Sequence, residues 1–171
     1  MNAGRGGRWS VEVSDLNELV GGGDMGSMWL KIWNLSLEEN DDGNCGFRLV
    51  AVGLGFEENQ WAFIKQQHFQ ELDFNADLYK YVFNSYVSGS YDVLRNSINW
   101  QQIAPAPSEH WMFMPHTCLV IAQRFGVIVH LFNNRGAQSI FPLWTSANGL
   151  MRHNVVSVVH LGVHFINVSL Q

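Results

Sequence analysis

The amino-acid sequence predicts a single α+β domain in which helices come first and strands follow. Apolar residues recur at helical spacing between residues 45 and 125, whereas short runs rich in β-branched residues follow Gly126. With 171 residues, 47% of them hydrophobic, the chain is long enough to bury one substantial core. Helices followed by strands around a shared core are typical of the α+β class.

The N-terminal segment is predicted to be a flexible leader over residues 1–26, ahead of a folded domain at 27–171. Two glycine-rich stretches, "AGRGG" and "GGGDMGS", bracket a short mixed piece of this leader. The next segment, "MWLKIWNL" at 28–35, alternates apolar and polar residues and predicts a strand.

A turn at residues 41–44 introduces the first predicted helix, "CGFRLVAVGLG". Asp, Gly and Asn are turn formers, and they directly precede Cys45. Gly53 and Gly55 mark the expected end of the helix. Its apolar positions, which follow helical spacing, are Phe47, Val50, Ala51 and Leu54.

Four more helical segments are predicted: helices at residues 57–72, within 75–87 and at 116–125, and a short helical turn at 91–98. In the second helix, Glu57 and Glu58 are expected in the first turn, where the helix dipole favours acids. In the third, Asn75 is the expected cap. The predicted buried face of the second helix consists of Trp61, Ile64, His68 and Leu72.

A loop punctuated by prolines, "APAPSEHWMFMP" at 104–115, separates the fourth helix from the fifth. After Gly126 the pattern predicts strands with short links such as "NNRG" and the pair Gly162 and Val163. The four predicted strands are "VIVHLF", "QSIFPLW", "VVSVVHL" and "HFINVSL".

The charge balance argues against nucleic-acid binding. The formal net charge is −5, and no run of Lys or Arg is present. No apolar stretch approaches the roughly 20 residues that cross a bilayer, and the N-terminus lacks a signal-peptide core. With two cysteines and no disulfide framework, we expect an intracellular protein, cytoplasmic or nuclear, with free thiols.

Cys45 stands where a nucleophile is favoured, at the expected start of a helix. The unpaired N–H groups and dipole of a helix N-terminus favour a thiolate over a thiol. Gly46 is expected to leave one flank open, while Gly43 and Asn44 permit a tight turn whose amides hold an oxyanion. The alternative is that Cys45 is a small buried hydrophobe.

The stretch Asp42-Gly43-Asn44-Cys45, followed by "GFR", resembles the nucleophile motif of the OTU (ovarian tumour) cysteine proteases, many of which are deubiquitinases. It is most similar to the branch attached to Mutator-like transposable elements. "HWMFMPHTCLVIAQRFGVIVHLF", "FPLW" and "VVHLGVHFINV" resemble later segments of that branch, so the resemblance covers residues 28–170. It implies an OTU-like fold of the papain-like class, with a central mixed or antiparallel sheet flanked by helices and the nucleophile at a helix N-terminus.

By this resemblance the catalytic residues are Cys45, His164 as general base and Asp42, whose implied role is to shape the oxyanion turn. Many family members carry Asp or Asn two residues after the histidine, but this chain has Ile166 there. Asn167 is expected to face the opposite side of a regular strand unless a bulge intervenes. The third catalytic member therefore stays open. The candidates are Asn167, Asn34, Ser36 and a dyad without a third member.

The resemblance also implies a substrate. Ubiquitin or polyubiquitin, or a ubiquitin-like modifier, would place its C-terminal Gly-Gly in a narrow channel. Gly162 and Val163 are expected to form one wall and Trp111 a lid, unless Trp111 is a core aromatic. The expected reaction is thiol-dependent hydrolysis of an isopeptide bond through a thioester, with no metal or cofactor and with a monomeric enzyme.

Two other functions remain open. The first is a degenerate OTU domain that binds ubiquitin or another partner without cleaving it, which Ile166 favours. The second is a metal-binding domain that uses Cys45, Cys118, His116 and His160, although these lack the paired spacing of a structural zinc site. The remaining histidines, His68, His110, His130 and His153, are expected to be surface or core residues.

Overall fold

The computed structural model describes residues 42–100, 102–133, 135–143, 154–161 and 164–167 of the 171-residue chain. The predicted leader, the strand at 28–35 and the link formed by Gly162 and Val163 lie outside the described residues.

All five predicted helices are confirmed. The first, α1, begins at Cys45 because the carbonyl of Asn44 accepts the N–H groups of Phe47 and Arg48, each at 3.0 Å. It ends before Gly55, whose φ of +84° breaks the helical path. The helices are α1 Cys45–Gly53, α2 Trp61–Phe74, α3 Ala76–Asn84, α4 Ser90–Ile98 and α5 His116–Phe125. Among the described residues, no helix is both long enough and apolar enough to cross a bilayer.

Two details of the helix starts differ from the prediction. Glu57 and Glu58 do not lie in the first turn of α2, because a 3₁₀ turn at Glu58–Gln60 precedes it. Glu57 and Gln60 form a capping box around that turn, which satisfies the same backbone donors locally. Asn75 occupies the N-cap position of α3, but its side chain instead donates to Glu71 Oε1 at 2.8 Å.

Four strands form one mixed sheet in the order β2-β1-β3-β4. β1 pairs antiparallel with β2 and parallel with β3, and β3 pairs antiparallel with β4. The four strand predictions are confirmed over the described residues, except that β2 ends at Ile140 instead of continuing through "FPL". Residue 144 and residues 168–170 of the predicted strands lie outside the described residues. The bounds are β1 Ile128–Asn133, β2 Gly136–Ile140, β3 Val155–Leu161 and β4 His164–Asn167.

The ladder between β3 and β4 pairs one residue with one residue, from Leu161 opposite His164 to Val158 opposite Asn167. A bulge would place two residues opposite one, so this register contains no bulge between His164 and Asn167. Successive residues of β4 therefore alternate between the two faces of the sheet, which puts positions 164 and 167 on opposite faces of the strand.

The core lies between the helices and one face of the sheet. Val129 and Leu131 of β1 are buried, and they pair in register with the buried Val156 and Val158 of β3. Residues at every second position share a face, so these four side chains form the face that the helices cover. α1 packs against α2, β3 and β4, and α5 packs against α2, β1 and β2, so these two helices join the two layers.

His68 of α2 is a buried histidine whose two ring nitrogens have no hydrogen-bond partner among the described residues. The edge of its ring meets the Phe47 ring at a centroid distance of 6.1 Å. Burial, and secondarily the charge of Lys65, lowers the pKa of His68 from 6.5 to about 3. The imidazole is therefore neutral in the folded protein at all moderate pH values.

We expect acid to destabilise the fold through His68. Below pH 6.5 His68 binds a proton in the unfolded chain but stays neutral in the folded chain. The free energy of unfolding therefore falls as the pH falls toward the folded-state pKa of about 3. His68→Leu removes this difference, and its stability relative to the wild type should rise by about 2 kcal/mol between pH 8 and pH 5. Urea unfolding at both pH values measures it.

His68→Gln is the matched control, because it removes the titration but keeps a polar side chain. Both variants should lose the same pH dependence, whatever their stability at pH 8. If the wild type and both variants lost stability in parallel on acidification, His68 would not be the acid-sensitive group.

Candidate active site

The turn before α1 is organised by the carboxylate of Asp42. Its Oδ1 accepts the backbone N–H of Asn44 at 2.9 Å, and Asn44 Nδ2 donates to the Asp42 carbonyl at 3.2 Å. Between them, Gly43 adopts φ = +71°, a left-handed conformation that favours glycine. The turn thus closes on itself and leads directly into the first helical residue, Cys45.

Arg48 holds the other oxygen of the same carboxylate. Its guanidinium forms an ion pair with Asp42 Oδ2 and also lies 5.4 Å from the centroid of the Trp61 ring. Burial alone would raise the pKa of Asp42, but the N–H of Asn44 and the charge of Arg48 outweigh it and lower that pKa. Asp42 is therefore an ionised acceptor within the turn at neutral pH.

Trp111 and the proline-rich loop lie against the turn. The indole Nε1 donates to the carbonyl of Ala106 at 2.9 Å, and the N–H of Ala106 donates to the Asp42 carbonyl at 2.6 Å. A Cβ at Gly43 would come within 2.3 Å of the indole Nε1. Trp111 is half-buried and covers Gly43, so it lies beside the candidate nucleophile and not in the core cluster.

The expectation that Gly46 leaves an open flank is wrong. Gly46 is buried, and a Cβ there would come within 2.9 Å of Met112 Sδ. The glycine instead lets the loop residue after Trp111 pack directly on the helix. Cys45 itself is half-buried, so its sulfur belongs to the boundary between the packed interior and solvent.

The direction of α1 over the sheet follows from three contacts. Gly53, at its C-terminal end, lies against Val156 near the start of β3, since a Cβ there would come within 2.8 Å of Val156 Cγ1. The described part of β4 pairs with the second half of β3, and α1 packs against β4 as well. The helix therefore lies along β3 with its C-terminal end near the start of that strand, and it also packs against β4, which begins at His164.

His160 is a second histidine at this end of the sheet. It follows Val156 and Val158 at alternate positions, so it lies on the face of β3 that α1 covers. Its half-buried ring stacks on Phe165 with a centroid distance of 4.6 Å. The sequence predicted His160 to be a surface or core residue or, in the alternative function, a metal ligand. In the ladder His160 pairs with Phe165 and His164 pairs with Leu161, so the two histidines occupy alternate positions. His160 is therefore the comparison for His164.

The second cysteine, Cys118, is confirmed as a buried helix residue. Burial raises the pKa of its thiol to about 12, and its Sγ lies 3.4 Å from Met114 Sδ. Within the described parts of the chain, no three His, Cys, Asp or Glu residues lie close enough together to hold a metal. The ring of His116, a proposed metal ligand, stacks on Phe113 and meets the Phe83 ring at a tilt of 56°.

Sequence reasoning missed Lys65, whose ammonium lies under the turn. Its Nζ is 3.3 Å from Asn44 Oδ1, and its side chain is 1% exposed. A signal existed, because a lysine four residues after Trp61 falls on the predicted apolar face of α2. Of the other predicted site residues, Gly162, Val163, Asn34 and Ser36 lie outside the described residues.

Gly43→Ala should destabilise the protein by about 2 kcal/mol or more, through left-handed strain and collision with Trp111. Gly89→Ala is the matched control: Gly89 has φ = +83° with nothing within 4 Å of a Cβ, so strain alone should cost about 1 kcal/mol. Urea unfolding measures both. Equal losses would contradict the close approach of the indole.

Solved structures to which the chain is similar include two from viruses. The crystal structure of the viral OTU domain protease from Dera Ghazi Khan virus matches with a TM-score of 0.53 and 16% identity over 76% of each chain. That from Farallon virus gives a TM-score of 0.49 and 15% identity over 76% of this chain and 80% of that one. No protein-family model matches the chain, and neither does any curated protein. The first likeness establishes an OTU-like fold for this chain, and the transposon-associated branch stays a prediction.

Proposed function

We propose that the chain is a cysteine-type deubiquitinase, which cleaves the isopeptide bond after the C-terminal Gly-Gly of ubiquitin. One observation carries the proposal: Cys45 begins α1 directly after an ordered turn, and α1 packs against β4, whose first residue is His164. The neighbouring fold belongs to a viral OTU domain protease, which supports protease chemistry.

In the proposed reaction, the thiolate of Cys45 adds to the carbonyl carbon of the last glycine. The resulting oxyanion is held by backbone N–H groups at the start of α1, where the first turn of a helix directs its donors outward. The C–N bond then breaks, and the lysine amine leaves with a proton from the imidazolium of His164. Water, deprotonated by the same imidazole, hydrolyses the thioester and regenerates the thiol.

Substrate recognition is proposed to use the wall and lid inferred from the resemblance. Trp111 supports this role because its indole covers Gly43, two residues before Cys45, and is anchored by Ala106. Gly162 and Val163 would form the opposite wall, so that residues with a Cβ are excluded from the channel. A ubiquitin-like modifier with the same diglycine end would satisfy the same channel.

The third catalytic member is proposed to be absent or weak. Asp42 is engaged with the N–H of Asn44 and with Arg48, which supports its role in shaping the oxyanion turn. Asn167 gains no help from a bulge. Ile166, in the position where the family places its acid or amide, also favours the alternative function, an OTU-like domain that binds ubiquitin without cleaving it.

We also propose that the protein acts inside the cell, as a monomer and without nucleic acid. The net charge of −5 supports the last point, because phosphate backbones bind basic surfaces. The same charge favours a partner with a basic surface.

A ubiquitin that carries a C-terminal electrophile should label the protein at Cys45. The expected product is one ubiquitin per chain, seen as a mass increase and mapped to the Cys45 peptide. Cys45→Ala should abolish labelling, whereas Cys118→Ala should keep it, because Cys118 is enclosed and protonated. Turnover of a ubiquitin isopeptide substrate should fall by about 10²-fold or more in His164→Gln.

His160→Gln is the matched control for His164→Gln, since both histidines lie at the same end of the sheet. It should retain turnover within a few-fold. Equal losses, or a loss only in His160→Gln, would reject His164 as the base. Tight ubiquitin binding without labelling would reject the enzyme and support the alternative, a domain that binds ubiquitin without cleaving it.

A further inference from the structure

Lys65 is a fully enclosed lysine that lies directly beneath the nucleophile turn. Its Nζ donates to Asn44 Oδ1 at 3.3 Å and to the carbonyl of His110 at 3.4 Å, and it lies 5.0 Å from the centroid of the Phe47 ring. Asn44, its first acceptor, is 0% exposed and immediately precedes Cys45. The ammonium is therefore buried and hydrogen-bonds to the side chain of the residue that precedes Cys45.

The charge of this lysine is not neutralised by an adjacent acid. No carboxylate of the described residues lies within ion-pair distance of its Nζ. Burial lowers the pKa of Lys65 to about 8, against the attraction of Asp42, so the amine is mostly protonated at pH 7. A buried cation is costly, and an apolar side chain of similar volume is usually at least as stable. Packing alone therefore does not explain a charged side chain at this position.

Few ionisable groups act on this ammonium. From the turn, Asp42 attracts it, but Arg48 already pairs with that carboxylate. From its own helix, His68 lies one turn away and stays neutral at moderate pH. His110, on the loop, contributes its carbonyl, and its ring Nδ1 lies 2.7 Å from the carbonyl oxygen of Asn96. A positive potential therefore remains at the start of α1.

The two hydrogen bonds join parts of the site that come from distant sequence. Asn44 belongs to the turn, and His110 belongs to the loop that carries Trp111. The buried Lys65 therefore holds the loop to the turn through these two hydrogen bonds. A third hydrogen bond between loop and turn runs from the N–H of Ala106 to the Asp42 carbonyl. Removing the ammonium would release the amide side chain of Asn44 and weaken the field at the thiol.

We propose that Lys65 is a positioning residue of the thiol site, whose buried ammonium fixes Asn44 and stabilises the thiolate of Cys45. The proposal rests on the proposed function of Cys45 as the nucleophile. It adds a third source of thiolate stabilisation to the helix N-terminus and the histidine. Lys65 acts through Asn44 and through its field, without contact with the substrate.

The test measures the pH dependence of Cys45 alkylation by iodoacetamide, in a Cys118→Ala background with a single thiol. This reference protein should react with a midpoint well below the ordinary thiol value of about 8.5. Lys65→Met, which keeps the stem but removes the charge, should raise the midpoint by about one pH unit. The rate below the midpoint should then fall by up to about tenfold. Lys65→Arg, which keeps the charge, should recover most of the shift.

Lys80→Met is the matched control, because Lys80 is an exposed lysine 5.5 Å from the centroid of the Tyr91 ring on the helical surface. It should leave the midpoint unchanged. Each variant is checked for cooperative urea unfolding, and Lys65→Gln replaces Lys65→Met if the latter does not fold. An unchanged midpoint in the charge-removing variant would overturn the proposal, as would an ordinary midpoint in the reference protein.

The ubiquitin-electrophile reaction separates this inference from the proposed function. If the ubiquitin electrophile labels the reference protein but the alkylation midpoint does not change when Lys65 is replaced, the proposed function is supported and the role of Lys65 is rejected. A reference protein that does not label with ubiquitin, but whose low midpoint depends on Lys65, would support the role of Lys65 and reject the substrate.

Discussion

The turn from Asp42 to Asn44 is held from three directions, and the proposed chemistry depends on that constraint. The Asp42 carboxylate binds the Asn44 N–H and Arg48, and the Asp42 carbonyl accepts the N–H of Ala106. Gly43 supplies a left-handed φ that other residues rarely adopt. Donors fixed in this way need no reorganisation when negative charge develops, which is the main source of electrostatic catalysis in acyl transfer.

The same region carries an unusual density of enclosed polar groups. Asn44, Lys65 and His68 are all 0% or 1% exposed, and the Lys65 ammonium and the His68 ring both lie against the Phe47 ring of α1. Lys65 Nζ donates a hydrogen bond to Asn44 Oδ1, whereas the ring nitrogens of His68 have no hydrogen-bond partner among the described residues. Apolar residues would pack there at lower cost. Proteins accept such costs near sites where charge and geometry matter more than stability.

Local signals predicted the helices well because helix formation depends on near neighbours. Spacing and glycines located α1, and α5 begins and ends at the predicted residues, His116 and Phe125. The ends were less predictable, since Glu57 and Gln60 form a local capping box that replaces a first helical turn with a 3₁₀ turn.

Long-range packing set the features that the sequence did not reveal. Lys65 and Asn44 are 21 residues apart, and Met112 fills the flank of Gly46 from a loop whose path has no local signal. The parallel pairing of β1 with β3 is equally non-local, since hydrophobic alternation fixes a face but not a partner. Cys45 and His164 are 119 residues apart, and only the family resemblance paired them before the fold brought their segments together.

The isoleucine at position 166 bears on the proposed role of Lys65, because it leaves the proposed base His164 without an acid or amide partner two residues on. In a thiolate–imidazolium pair, an acid or amide beside the histidine normally orients and stabilises the imidazolium. An isoleucine at 166 provides neither effect, and the unbroken register of β4 keeps Asn167 in the alternate position. In the proposed enzyme, stabilisation would then come from the thiolate side, through the N-terminus of α1 and the ammonium of Lys65. A site arranged in this way would maintain its thiolate even when the histidine is poorly supported.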